Sequence, residues 1–170
     1  MLWMCTAIFY CLWDSKTPQN SNNKLKPVGM SMFAVFLTVS YFHIQDLYHI
    51  FVGGYLTLVF GILIWTARLA WNDHSIKKFL WLTSITFYVL IGSLIWLIDF
   101  KFCDSLQLVH KVMMGATFHV VWHAAAAIAT YMTILLLIVV RIEDQKLGTP
   151  TLSWCLGVLP VISVIPYKKI

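Results

Sequence analysis

Four apolar runs, at Val28–Ile44, Ile50–Thr66, Phe79–Ile98 and Ala116–Val140, constrain what this chain can fold into. About 20 apolar residues in helical form cross a hydrocarbon core of roughly 30 Å. Each run therefore predicts a membrane span. With 60% hydrophobic and 11% charged residues and a mean hydropathy of +0.80, the chain lacks the polar surface a soluble domain of its 170 residues needs. The expected fold class is all-α, a polytopic transmembrane helical bundle, with residues 1–170 forming a single domain. Trp154–Ile165 is apolar but short and contains Pro160; a kinked end-segment and an interfacial piece both fit it.

The start of the chain is unlike the rest. Met1–Trp13 is apolar from its first residue, yet about 13 residues of helix rise only some 20 Å and cannot span. A signal peptide is excluded, because no basic region precedes the apolar stretch and Cys5, Tyr10, Cys11 and Trp13 offer no small-residue cleavage site. The segment fits the back half of a transmembrane helix, and the expectation is that Met1 is not the natural start of the folded unit.

The formal charge is +5, but the basic residues lie between spans rather than along one face, which argues against a nucleic-acid partner. They set topology instead. If the polar loop Asp14–Pro27 is cytosolic, Lys16, Lys24, Lys26, Arg68, Lys77, Lys78, Arg141, Lys146, Lys168 and Lys169 share its side, and of the 12 Lys and Arg only Lys101 and Lys111 lie opposite. That asymmetry satisfies the positive-inside rule and puts the C-terminus in the cytosol. Cys5, Cys11, Cys103 and Cys155 show no paired metal or redox spacing, and only Cys103 falls in a non-cytosolic connection. No linker divides the chain. Trp3, Trp13, Trp65, Trp71, Trp81 and Trp96 sit near span ends, where an aromatic belt accounts for them.

Chemistry is concentrated in Phe118-His119-Val120-Val121-Trp122-His123. Two imidazoles four residues apart lie about 40° apart on one helix face and can grip one metal ion. A catalytic zinc site takes three protein ligands plus water, so this helix supplies two of the three. In a soluble protein, surface or satisfied core histidines would be the commoner meaning of that spacing. Inside a bilayer, ionisable side chains are costly and mark functional sites. The run Ala124–Ala127 with Ala129 suits close helix packing.

Trp96-Leu97-Ile98-Asp99 ends the preceding helix in the same half of the membrane as the histidine pair. Asp99 orients a ligand imidazole, steadies the connecting turn or is simply solvated at the helix end. His43, Asp46 and His49 form another cluster on that side, although His43 and His49 would lie about 120° apart on a helix. His74 and His110 are lone loop histidines. No phosphate-cradling Gly-rich loop, nucleophile elbow or His-Glu zincin motif is present, which leaves metal chemistry.

In order, Trp96-x-x-Asp99-x-x-x-Cys103, Phe118-His119-x-x-Trp122-His123 and a basic-ended tail with Leu159-Pro160 and Pro166 resemble the C-terminal part of the alkaline ceramidases. That resemblance implies a seven-helix membrane amide hydrolase of the endoplasmic reticulum or Golgi, here incomplete, whose substrate is ceramide and whose products are a sphingoid base and a fatty acid. It implies zinc held by His119 and His123, with no obligate protein partner. The family's third histidine, its partner serine and aspartate, and its acidic calcium-binding segment have no counterpart in this sequence. The chain is thus expected to be a truncated form, weakly active or inactive.

Two other classes share some features. Progestin and adiponectin receptors are similar seven-helix proteins with a histidine metal site, but theirs faces the cytosol, whereas charge asymmetry here puts His119 and His123 in the non-cytosolic half. A haem-binding electron carrier needs an opposing axial ligand, and no other full span has a mid-membrane histidine.

Overall fold

The computed structural model describes residues 2–15, 25–43, 48–71, 76–102 and 118–166. Helices dominate: α1 (Leu2–Ser15), α2 (Leu25–His43), α3 (Tyr48–Ala70), α4 (Ile76–Ile85), α5 (Ser93–Phe102) and α6 (Phe118–Asp144). A seven-residue π-segment, Thr86–Gly92, joins α4 to α5 as one continuous rod. The chain is an all-α membrane bundle with a short two-stranded appendage, β1 (Thr149–Cys155) and β2 (Leu159–Ile165). Among the described residues, three helices are long and apolar enough to cross a membrane: Val52–Ala70, Ile76–Asp99 and Val120–Asp144. The first expected span, Val28–Ile44, is helical from its start through His43, and Pro27–Val39 is the apolar part of that helix whose side chains are described.

The chain forms two compact units, Met1–Arg68 and Leu69–Ile170. In the first, small residues on α3 admit side chains from its neighbours. Leu37 of α2 is buried and occupies the space above Gly54, where a Cβ would come within 2.8 Å of its methyl carbons. Phe9 of α1 meets Trp65 edge-on, with ring centroids 6.0 Å apart. Helices in lipid gain little from the hydrophobic effect, so such close fits carry the packing.

The second unit is built on α4 and α6. Leu80, Met132, Leu135, Leu136, Val139 and Val140 form its core, flanked by Trp81, Tyr131, Leu152 and Ile162. Trp81 is half-buried against this core, and Trp65 is half-buried against Phe9 in the first unit. A buried hydroxyl cluster completes the α4–α6 contact. Ser84 Oγ lies 2.9 Å from the Ala129 carbonyl and 2.8 Å from Thr133 Oγ1, which itself lies 2.9 Å from that carbonyl. Two hydroxyl protons serve these three contacts. At the chain's basic side, Lys77 pairs with Glu143 at 2.6 Å and ties the start of α4 to the end of α6.

Trp154–Ile165, for which the sequence admits a kinked end-segment or an interfacial piece, belongs to a β-hairpin, and local chemistry explains why. At the end of α6, Lys146 takes a positive φ of 51°. The Lys146 amide bonds Glu143 O at 3.0 Å and the Leu147 amide bonds Ile142 O at 3.1 Å. This pattern satisfies the last carbonyls and turns the chain out of the helix. Gly148 follows at φ 153°, and a Cβ there would lie 2.3 Å from Ile165 O. Alternating branched residues then run in register from Thr149↔Ile165 to Cys155↔Leu159. The hairpin folds back along the helices, with Tyr131 Oη donating to Pro160 O at 2.7 Å and Trp154 edge-on to Phe79.

Ser84→Ala should cost about 1 kcal/mol, because Thr133 keeps its bond to Ala129. A double-mutant cycle with Thr133→Ala, read by reversible unfolding in mixed micelles, should show a coupling of about 0.6–1.7 kcal/mol. Gly148→Ala should loosen the hairpin by about 1 kcal/mol or more, seen as faster amide exchange in 149–165 with α6 unchanged.

Candidate functional site

The site grows out of the contact between α6 and the α4–π–α5 rod. Along α6, Trp122, Ala126, Ala129, Thr133, Leu136 and Val140 recur at alternating spacings of four and three. This is the seam spacing of two helices packed side by side. From Ala126 to Val140 all five seam residues are buried, and the helix packs against α4, the π-segment and α5. His119 falls three residues before Trp122, at the next position of the same series.

On the rod, Leu80, Ser84 and Gly92 are buried. Ser84 and Gly92 are eight residues apart, which in an unbroken α-helix leaves them about 80° out of line. A turn closed from i to i+5 absorbs one residue and reduces the offset to about 20°. The π-segment supplies that turn: the Ser93 amide bonds Tyr88 O, and Ser93 Oγ reaches the same carbonyl at 3.3 Å. Gly92 is thereby held on the seam, against the Trp122 ring. A Cβ at Gly92 would lie 3.5 Å from Trp122 Cδ1 and 3.8 Å from Nε1.

The motif residues occupy the first two turns of α6. His123 follows Trp122 and touches it, with ring centroids 4.6 Å apart at 61°. His119 and His123 sit four residues apart on this helix, so they share a face. Asp99 lies on α5, half-buried, seven residues beyond Gly92. Since α5 packs on α6, the aspartate and the histidine pair belong to the same end of the same helix pair. His43 is the last residue of α2, and His49 stands in the first turn of α3. Asp46, His74, Cys103 and His110 lie outside the described residues, as do the side chains of His43, His49 and His119.

The donor chemistry fits a divalent ion in part. Two imidazoles on successive turns can ligate one ion from one side. Among the described residues, however, no group of three or more His, Cys, Asp or Glu side chains comes together. Sequence reasoning missed the Gly92–Trp122 contact and the Ser84–Thr133 cluster. The pointer to the first was Gly92-Ser93 in the middle of an apolar run, where glycine in a helix signals close approach.

Fold and site together define an integral membrane protein with a histidine pair at one end of a tightly packed helix seam. Compared with known proteins, residues 1–166 match the Ceramidase family model, and the chain belongs to that family. It is 25% identical over 175 residues to alkaline ceramidase 3 of Mus musculus, an alignment covering 99% of this chain. The chain spans 64% of the length of that curated relative. No solved structure matches it.

Proposed function

We propose that this chain contributes to hydrolysis of the ceramide amide bond, giving a sphingoid base and a fatty acid, within a single ceramidase-like domain that includes both compact units. One observation carries the reading: in a member of the Ceramidase family, two histidines share one face of α6 at the end where α6 packs against the helix bearing Asp99. His119 and His123 would hold zinc as neutral imidazoles. Zinc bound there would supply Lewis acidity toward an amide carbonyl and acidify water near neutral pH.

The chain's own groups have definable roles. Asp99 would orient a ligand imidazole by accepting a hydrogen bond from its second ring nitrogen, which would fix the tautomer. The apolar side chains beside the pair, Val120 and Val121, are exposed and accept acyl chains without desolvating a polar group. With two imidazoles assigned on α6 where a catalytic zinc takes three protein ligands, Met1–Ile170 by itself is expected to hold zinc weakly and to hydrolyse ceramide slowly or not at all.

Zinc titration of the purified chain should show weak uptake that His119→Ala and His123→Ala each abolish. Asp99→Asn should weaken it by about ten-fold. Uptake indifferent to both histidines would refute the site. Robust ceramide hydrolysis, lost in His119→Ala, would refute the weak-activity part while supporting the chemistry.

Topology belongs to the same reading. Ten of the 12 Lys and Arg on one side support a cytosolic C-terminus in an endoplasmic reticulum or Golgi membrane, with the histidine pair in the non-cytosolic half. An epitope appended after Ile170 should be stained or digested from the cytosolic face of intact microsomes; protection there would reverse the orientation.

A further inference from the structure

The π-segment sets the angular phase of the rod where it meets α6. Its middle residues, Val89 and Leu90, are exposed at 40% and 64%. It delivers Gly92, a residue without a side chain, to the α6 interface at the position facing Trp122. Trp122 in turn lies against the ring of His123. These contacts form a series from backbone to site: an i to i+5 turn, a glycine floor, an indole seated on it, and an imidazole against the indole.

We propose that Thr86–Gly92 is the positioning element of the histidine pair, with Gly92 as the notch that seats Trp122 and Trp122 as the positioning residue for His123. The proposal rests on the assignment of His119 and His123 as metal ligands, and it names the groups that hold one of them in place. Metal ligands gain affinity when outer groups fix their ring orientation. The usual device is a hydrogen bond to the second ring nitrogen. Here, a bulky flat indole limits the imidazole's rotation by contact, and the glycine fixes how deep the indole sits.

Two features make the arrangement specific. A Cβ at position 92 would lie in ordinary van der Waals contact with the indole, 3.5 Å from Trp122 Cδ1, and more tightly, 3.1 Å, against Phe87 O of its own rod; a side chain longer than alanine's would occupy the seat itself. The turn is also braced, because Ser93 sends both its amide and its hydroxyl to Tyr88 O. Segments of this kind inside α-helices recur at functional sites for the same reason, since they re-aim a face without ending the helix.

The test uses full-length Met1–Ile170 in lipid nanodiscs with two readouts. The first is fluorine NMR of protein labelled with 5-fluorotryptophan, in which Trp122→Phe identifies one of the 8 tryptophan resonances. Gly92→Leu should shift or broaden the Trp122 resonance and leave the others in place. The second is titration with Co2+ alone, followed by its visible absorption. Gly92→Leu and Trp122→Ala should each weaken Co2+ binding by about ten-fold. Trp122→Phe, which keeps a flat ring, should recover most of the loss, and the exposed-site variant Leu90→Ala should bind as the parent does.

Should Gly92→Leu fail to fold, the Trp122→Ala and Trp122→Phe pair decides the matter alone. The proposal is overturned if the Trp122 resonance ignores Gly92→Leu. It is equally overturned if Trp122→Ala binds Co2+ like the parent while His123→Ala does not bind it; that second outcome leaves the ligand assignment standing. Absence of Co2+ uptake by the parent chain would instead remove the ligand assignment itself, and the positioning role with it.

Discussion

The second unit depends on one seam, the contact of α6 with the α4–π–α5 rod. In a bilayer, lipid tails are as apolar as leucine, so burying leucine against leucine gains little. Fit and hydrogen bonding distinguish this contact: alanines at 126 and 129 let the helices approach, and the Ser84–Thr133–Ala129 cluster is satisfied only when they do. The rest derives from that closeness. The π-segment is needed because Ser84 and Gly92 must both face α6, and regular helical geometry would turn the second away. The hairpin is anchored on the same surface, through Leu152, Ile162 and the Tyr131–Pro160 bond.

Much of the helical layout was legible because a membrane span is written in composition, which needs no knowledge of neighbours. The runs Phe79–Ile98 and Ala116–Val140 became the rod and α6 with nearly those bounds. The pair His119 and His123 was visible from spacing alone, since i and i+4 share a face wherever a helix forms. The hairpin was not legible in the same way. Its residues are as apolar as those of a span, and the decision against helix lies in backbone conformation at Lys146 and Gly148, which an apolar run does not encode. The π-segment was hidden for a related reason: an extra residue within a span changes no composition, only the angular phase of the residues beyond it.

The glycines illustrate how context decides meaning. A methyl group placed on Gly29, Gly53 or Gly157 would have nothing within contact distance, whereas Gly54 and Gly92 lie against a side chain of a neighbouring helix. Leu37 fills the space over Gly54, and its partner is purely aliphatic. Trp122 fills the space over Gly92, and its partner is the indole beside the histidine pair. The same physical device, a missing Cβ at a helix crossing, serves packing in one unit and reaches the candidate site in the other.

Burial along α6 separates stability from chemistry. Its C-terminal half buries one broad face, with Met132, Thr133, Leu135, Leu136, Val139, Val140 and Ile142 all buried, and leaves Ile134 and Ile138 exposed on the other. In the N-terminal half, Val120, Val121 and Ile128 are exposed, and His123 stands among them. A helix closed along its whole length would gain more packing, but it would leave no apolar surface beside the imidazoles for a lipid chain to lie against. An open half without a rigid anchor would let the histidines wander, and loosely held ligands bind metal poorly. The hydroxyl cluster and alanine seam fix the helix where no chemistry is proposed, and Gly92 with Trp122 carries that fixity one contact further, to the edge of the exposed half. Under the proposed function, a membrane site that admits a lipid while holding its ligands still would need both ends of this arrangement on one helix.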